Sequence, residues 1–217
     1  MHNTDGVPIR QAQPSSLRPR SANVAERAEA TRAALVASAR RLFVEKGYFD
    51  TGTEEIVRDA AVTRGALYHH FTDKKALFLA VFEAVETDLM SAAGARVAGD
   101  AFGRLSAGLL GFLDASLTPE VQRVLLIDGP AVLGWQEWRA LEAQYGLGAI
   151  RQLLSDAIAE GTISPQPVDP LANILLAAVD EAALYIANNE NPRVARDTAA
   201  VSMNTVLGGL ARPMEVP

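Results

Sequence analysis

Cysteine is absent from this chain of 217 residues. Its absence excludes disulfide bonds, thiolate metal sites and a cysteine nucleophile, and it is compatible with a reducing cytoplasm. Aromatic residues make up only 6% of the chain, whereas alanine is abundant, which favours helices over sheets. The chain has no apolar run of about 18 residues and no secretory signal, so we expect a cytoplasmic protein without a membrane span.

Motifs of several common enzyme classes are also missing. The chain has no GxSxG elbow, no Walker loop, no GxGxxG after a strand and no HExxH. His69 and His70 are adjacent, so on a helix their side chains diverge by about 100° and could not easily share a metal ion. We therefore expect no enzyme, no catalytic residues, no metal site and no cofactor.

What the chain does have is an uneven distribution of charge. The net charge is −6, yet residues 1–78 hold 12 basic and 9 acidic residues, including all three lysines. Residues 79–217 hold 8 basic and 17 acidic residues. A mildly basic head on an acidic body fits phosphate binding at one end, although chance drift of surface charge would give the same distribution.

Residues 1–24 contain three prolines and no apolar periodicity, so we expect a disordered arm. Three of its arginines either reach DNA or are simply solvated: Arg10, Arg18 and Arg20. From about Ala25 to Lys46 the apolar residues recur at helical spacing, and Gly47 is placed to end this first helix.

Two short helices joined by a tight turn follow the first helix. The second helix can be capped by Thr53 or, through a capping box with Glu54, by Thr51. Thr63 is placed to cap the third helix, and Asp73 to cap a fourth helix that opens with lysines. This arrangement can place one helix in a DNA major groove and basic groups on the flanking phosphates.

The stretch from residue 53 to residue 75 reads TEEIVRDAAVTRGALYHHFTDKK and is the most informative part of the chain. Its GALYHHF segment followed by DKKALF resembles the N-terminal signature of the TetR family of bacterial repressors. The resemblance extends from about Thr31 to Phe82. The family usually has glycine where this chain has Ala61. We therefore expect a left-handed alanine there, at a cost of about 1 kcal/mol.

The resemblance implies an all-α fold, with a three-helix helix-turn-helix head over residues 25–72. Residues 73–217 would then form a helical body that binds an effector and dimerises. By the same resemblance, the protein is a homodimeric repressor that binds a palindromic operator in double-stranded DNA and leaves it when a small, apolar effector binds. The alternatives are a helical partner-binding protein and an activator with no ligand response.

Eight residues are predicted to contact DNA: Thr53, Thr63, Arg64, Gly65, Tyr68, His69, His70 and Lys74. A recognition helix touches base edges with its first turn, where Arg64 either holds guanine O6 and N7 or contacts a phosphate. By resemblance, Lys74 is the phosphate-binding lysine of the family, whereas we expect Lys75 to be solvated. Leu67 and Phe71 lie four residues apart and should be core.

The rest of the chain is predicted to be helical, with a break at residues 128–130 and possible interruptions at Gly146 and Gly148. The last two helices are apolar on more than one face, so they need cover on more than one face. The core of one protomer or a second copy across a two-fold axis would supply it, and the resemblance favours the dimer. The predicted interface residues are Leu175, Val179, Ala182, Ile186, Val201 and Leu207.

The candidates for an effector pocket are large apolar residues of the body: Phe112, Leu125, Leu133, Trp135, Trp138 and Tyr145. Large side chains on internal helices are, however, more often ordinary core. Asp128, Asp180 and Glu181 lie in apolar stretches of sequence. Each of these three carboxylates would either read a polar group of a ligand or be capped or paired within the fold.

Overall fold

The computed structural model describes residues 20–94 and 99–211. Within these ranges the chain is all-α, apart from one isolated β-bridge between Ile163 and Ala211. The α-helices are α1 (Arg20–Lys46), α2 (Thr53–Asp59), α3 (Arg64–His70), α4 (Lys74–Gly94), α5 (Ala101–Ala115), α6 (Gly129–Leu133), α7 (Trp135–Ala159), α8 (Val168–Ala187) and α9 (Pro192–Gly208). A π-helix spans Val121–Asp128, between α5 and α6.

The first helix forms much as its periodicity predicts. It begins at Arg20, earlier than the expected start near Ala25, and the predicted arm residues 1–19 lie outside the described residues. Its buried stripe consists of Leu35, Ala39, Leu42 and Phe43. Gly47 has φ +86° and ends the helix, as the sequence predicts, because glycine adopts this left-handed conformation without steric cost.

The predicted caps of α2 are wrong. Gly52 is the N-cap residue, Thr53 is already the first helical residue, and no side chain caps this end. The Thr51 hydroxyl instead donates to the carbonyl oxygen of Gly47 at 2.7 Å, and Thr51 is buried. Thr51 therefore closes the turn after α1 rather than the start of α2.

The turn between α2 and α3 agrees with the expectations drawn from the sequence. Ala61 has φ +54°, so an alanine does occupy the left-handed conformation. The Thr63 side chain accepts from the backbone N–H of Ala66 at 3.1 Å and caps α3. Asp73 caps α4 in the same way, since its carboxylate accepts from the N–H of Ala76 at 2.7 Å.

The predicted break at residues 128–130 is absent. The π-helix runs directly into α6, whose second residue is Pro130. The chain turns at Gly134, which has φ +84°. Gly146 and Gly148 do not interrupt α7. At Gly146 an added Cβ would lie 3.1 Å from Leu176 Cδ1, so glycine there allows α7 to pack closely on α8.

The body core lies between α4, α5, α7, α8 and α9, with α8 at its centre. By length and composition α8 could cross a membrane, since its mean hydropathy is 1.4. Such a helix is also typical of the core of a soluble protein, and 44% of it is buried inside this protomer. The packing of α8 between α7 and α9 therefore accounts for its apolar composition without a bilayer.

Four of the predicted interface residues are enclosed by their own protomer: Leu175, Val179, Ile186 and Leu207. They face neighbouring helices of the same chain, so they do not lie on a face open to a partner. Ala182 is half-buried, and Val201 is 67% exposed. The large apolar residues that α8 and α9 do expose are Ile174, Tyr185, Val194, Val201 and Val206.

Candidate DNA interface and effector site

The third helix separates a core face from an outer face. Leu67 and Phe71 are buried against the head core, as their spacing predicts. Arg64, Tyr68 and His69 lie on the exposed side of the same short helix. Because α3 is held by its buried face and capped by its own N-cap residue, it presents these side chains on a fixed scaffold.

Arg64 is held in place by two neighbouring side chains. Its Nη1 lies 3.3 Å from Glu54 Oε1, and its guanidinium carbon lies 5.6 Å from the centre of the Tyr68 ring. Both members of the ion pair are more than 60% exposed, and exposed pairs contribute about 1 kcal/mol at most. Arg64 can therefore leave Glu54 for a base or a phosphate at little cost.

Gly65 has no packing reason to be glycine. The nearest atom to an added Cβ would be Thr63 Oγ1, at the ordinary contact distance of 3.9 Å. Its backbone is helical, so no unusual conformation requires glycine either. Because Gly65 has no side chain, the backbone of α3 can come closer to the floor of a DNA groove at this position.

The two histidines of α3 differ in exposure. Their ring centres are 5.2 Å apart, and the His70 ring also lies 6.5 Å from that of buried Phe71. His69 is exposed and His70 is half-buried. His69 is therefore the better placed of the two for a contact outside the protomer.

Lys74 is largely occupied within the head. Its ammonium donates to the carbonyl oxygens of Tyr48 and Thr51, at 2.7 and 2.9 Å, and lies 4.1 Å from the centre of the Tyr48 ring. Partial burial lowers its pKa. An ammonium has three N–H donors, so one remains for a phosphate. Lys74 thus ties the start of α4 to the turn between α1 and α2, a role that the sequence did not indicate.

The predicted pocket residues lie in different environments. Trp138 is fully buried, and its indole N–H donates to the carbonyl oxygen of Leu125 at 2.9 Å, which joins α7 to the π-helix. Phe112 and Tyr145 are half-buried, and Leu133 is buried. Trp135 is 55% exposed, so it lies on the surface and does not line an enclosed pocket.

The three carboxylates singled out from the sequence also separate. Asp128 is buried and accepts from the backbone N–H of Tyr48 at 2.7 Å, while Asp180 is buried and paired with Arg139. Asp128 and Asp180 are therefore paired within the fold, which is one of the two alternatives expected from the sequence. Glu181 is exposed, so its expected apolar surroundings are wrong.

Two buried carboxyl groups were missed by the sequence analysis. Glu86 of α4 and Glu142 of α7 are both almost completely buried, and each carboxyl group shifts the pKa of the other. Burial is the main reason that the pKa of Glu86 rises to about 7, and the charge of Asp180 adds to the rise. Burial and the charges of Glu86 and Asp180 raise the pKa of Glu142 well above its usual value. The available signal was an acidic residue one turn after Phe82, within the apolar stripe of α4.

Comparison with known proteins places both parts of the chain in one family. The family model "Bacterial regulatory proteins, tetR family" matches residues 35–81, and the model "Tetracyclin repressor-like, C-terminal domain" matches residues 102–210. The chain belongs to the TetR family. It is accordingly a transcriptional regulator with a helix-turn-helix DNA-binding head.

Individual relatives support this placement. The Transposon Tn10 TetC protein of Escherichia coli is 30% identical over 160 residues, which cover 69% of this chain and 77% of that protein. The regulator AcrR of Shigella flexneri is 36% identical over 104 residues, which cover 46% of this chain and 48% of AcrR. A TetR-family regulator of Pectobacterium atrosepticum has a crystal structure with 32% identity and a TM-score of 0.78, over 89% of this chain and 98% of that one.

In this TetR-family chain the head and body are joined by polar contacts as well as by α4. Asp128, at the end of the π-helix, accepts from the Tyr48 N–H of the head and from Arg123 Nε at 3.2 Å. An added Cβ on Gly47 would lie only 1.7 Å from Arg123 Nη2, so glycine there also permits this close approach. The π-helix therefore touches the turn that positions α2.

Three further ion pairs hold α1 and the start of α4 to the rest of the body. Arg40 of α1 reaches Asp88 of α4 and Glu120, each at 2.6 Å. Lys75 Nζ lies 2.8 Å from Glu137 Oε2, so the expectation that Lys75 is simply solvated is wrong. These contacts make the orientation of the head dependent on the positions of α4, α7 and the π-helix.

Proposed function

We propose that this regulator is a homodimeric repressor that reads a palindromic operator with α3 of each protomer. Residues 25–72 would bind DNA, residues 73–217 would bind an effector and dimerise, and the protein would act in the cytoplasm. The outer face of α3 carries the proposal: Arg64 and Tyr68 are exposed beside a glycine that internal packing does not require. Thr63, His69 and the remaining donor of Lys74 would contact the flanking DNA.

The operator proposal is tested by selecting bound fragments from random DNA with the full-length protein. Fluorescence anisotropy at two salt concentrations then measures the affinity for the selected sequence. We expect a palindrome whose half-sites lie about one helical turn apart, and binding that weakens as salt rises. Folded protein that enriches no sequence would overturn operator binding and favour the helical partner-binding alternative.

The exposed apolar residues of α8 and α9 are the surface proposed for the dimer. Val201 is the most exposed of them. Large apolar side chains on two adjacent helices would be covered by the same surface of a second copy across a two-fold axis. Ala182, which lies half-buried on α8, would sit at the edge of this surface.

A charge at Val201 tests the dimer surface. Val201→Glu should raise the dimer dissociation constant at least tenfold, or about 1.4 kcal/mol, because the interface would bury an unpaired carboxylate. Analytical ultracentrifugation over a range of concentrations measures this change. Ala37→Glu, at an exposed position of α1, is the matched control and should leave the dimer intact. Equal dissociation constants for both variants would exclude α8 and α9 as the interface.

Release of DNA requires that the effector prefer the conformation that does not bind the operator, because equal affinity for both conformations would shift nothing. The helix α4 supports such coupling. It carries Lys74 at the head and Glu86 in the body, about 18 Å apart along the helix axis. A change in the packing of α4 within the body would therefore move a residue that fixes the head.

A further inference from the structure

Three carboxyl groups from three helices meet in the body. Glu86 of α4, Glu142 of α7 and Asp180 of α8 have exposed fractions of 2%, 4% and 1%. Arg139 forms an ion pair with Asp180, so the positive charge of Arg139 compensates the negative charge of Asp180. Glu86 and Glu142, which we call the carboxylate pair, act on each other electrostatically, and neither forms an ion pair with a basic side chain among the described residues.

The carboxylate pair is incompletely satisfied within the protomer. Burial and the repulsion between two like charges disfavour ionisation of both groups, so the pair holds at least one proton. The Oε1 atoms of Glu86 and Glu142 are both fully enclosed, yet neither has a hydrogen-bond partner among the described residues. Buried oxygens without a partner are uncommon in folded proteins, because burial removes their bonds to water.

The surroundings of the carboxylate pair are aromatic. Trp138 and Tyr145 stand four residues before and three residues after Glu142 on α7, so all three share a face. Phe82 stands one turn before Glu86 on α4 and is fully buried. Carboxylates combined with aromatic rings suit an organic cation, since both attract positive charge and the rings accept its apolar part.

We propose that the carboxylate pair binds the protonated nitrogen of an organic amine or guanidine, and that this cation is the effector. The ligand would be an apolar group with a cationic end, rather than a purely apolar molecule. Its N–H groups would donate to the two Oε1 atoms, and a proton held by the pair would pass to the solvent. The effector role rests on the proposed repressor function, whereas binding of the cation does not.

The site is tested by thermal shift with the full-length protein and a matched set of compounds. The set consists of phenylalkylamines and phenylalkylguanidines of increasing chain length, each paired with the neutral alcohol of the same length. We expect some cations to raise the melting temperature and their alcohols to have little effect. If no cation in the series stabilises the protein more than its alcohol, the proposal is overturned.

Two variants and a proton count separate a ligand site from a structural pair. Glu142→Gln should weaken binding of the best cation by about tenfold or more, whereas Glu181→Gln, at an exposed position, should not. Calorimetry at pH 7 in buffers of different ionisation enthalpy should show proton release on binding. Unchanged affinity in Glu142→Gln with an intact circular dichroism melt, or binding without proton release, would overturn the site.

Anisotropy with the selected operator distinguishes the two proposals. Loss of DNA binding on addition of the best cation supports both the site and its role as effector site. Binding of the cation while the operator stays bound upholds the site and overturns the effector role. A protein that binds the cation but no DNA sequence overturns the repressor proposal alone.

Discussion

The head and the body bury polar groups in different ways. In the head, the Thr51 hydroxyl donates to the carbonyl oxygen of Gly47, the Ser38 hydroxyl donates to Asp59, and the Lys74 ammonium donates to two carbonyl oxygens. In the body, Glu86 and Glu142 each keep one enclosed oxygen without a partner. The head therefore uses its buried polar groups to fix one geometry, whereas the body keeps hydrogen-bonding capacity that its own residues do not use.

This difference suits the two proposed tasks. A helix that reads DNA must present its side chains in a constant geometry, so satisfied polar contacts are an advantage there. A ligand site often lowers the stability of the free protein, because groups that await a ligand are poorly paired without it. The contrast between α3 and the carboxylate pair can be tested by substitutions in each region.

Replacing Glu86 should have the largest effect. Its pKa rises from 4.5 to about 7 on folding, so between these pH values the folded protein holds a proton that the unfolded chain has lost. Stability therefore falls as pH rises through this window, by roughly 3 kcal/mol, and then levels off. Glu86→Gln removes the ionisation, so it should be more stable than the parent by about that amount at pH 8 and similar to it at pH 4.

Urea unfolding of both proteins at several pH values measures this difference. Asp180, whose pKa burial raises to about 6, contributes a slope of the same sign to both proteins. The difference between the two curves therefore reports Glu86 together with its effect on the pKa of Glu142. Glu142, Arg139 and Tyr145 face the same region and remain in place. If the free energy of unfolding depends on pH in the same way in the parent and in Glu86→Gln, then Glu86 is not held protonated in the folded body.

Replacing Lys74 tests how the head is held together. Lys74→Ala should lower the free energy of unfolding by about 2 kcal/mol, because two carbonyl oxygens lose a charged donor. If its third N–H binds a phosphate, affinity should also fall for all DNA sequences, and the salt dependence should decrease by about one phosphate contact. Urea unfolding and anisotropy at several salt concentrations measure the two effects.

Lys75→Ala is the matched control, because it removes the exposed pair with Glu137 and should cost less than about 1 kcal/mol. An unchanged salt dependence in Lys74→Ala would leave Lys74 with a structural role only.

Replacing Arg64 tests whether the exposed face of α3 reads bases. If Arg64 holds a guanine edge, Arg64→Ala should relax the preference at one base pair of each half-site by roughly 1–3 kcal/mol. Repeating the DNA selection with the variant measures this change. Uniform weakening on all sequences would instead make Arg64 a phosphate contact. Protein stability should change little, since the Glu54 pair is exposed.

Relieving the backbone strain in the turn before α3 should have the smallest effect. Ala61 has φ +54°, which glycine adopts freely, so Ala61→Gly should stabilise the head by about 1 kcal/mol or less. Ala60→Gly is a matched control, because Ala60 has φ −75° and glycine there only adds conformational freedom to the unfolded chain. If the melting temperature changed in the same direction in both variants, strain at Ala61 would be contradicted.

Local signals predicted the head well. The left-handed Ala61, the caps at Thr63 and Asp73 and the buried Leu67 and Phe71 all depend on neighbours within a few residues. The start of α2 was mistaken because the Thr51 hydroxyl bonds back to the end of α1. A capping pattern does not show which of two nearby backbone ends a side chain reaches.

Contacts between distant segments could not be predicted. The Tyr48 N–H that satisfies Asp128 is 80 residues away, and Glu86 meets Glu142 and Asp180 only because three helices pack together. Likewise, the sequences of α8 and α9 are apolar on more than one face, so they do not show which face packs against the core of the same protomer. The structure assigns Leu207 to the inside and Val201 to the outside.

By itself, then, the sequence determined the all-α class, the helix-turn-helix and the family, because helical periodicity, caps and a compact motif are local properties. The tertiary structure alone decided that the amine of Lys74 is bonded inside the head, that Trp135 lies outside the core, and that two glutamates are buried together. Their burial is a property of what surrounds them, and burial is what raises the pKa of each glutamate and leaves their oxygens without water.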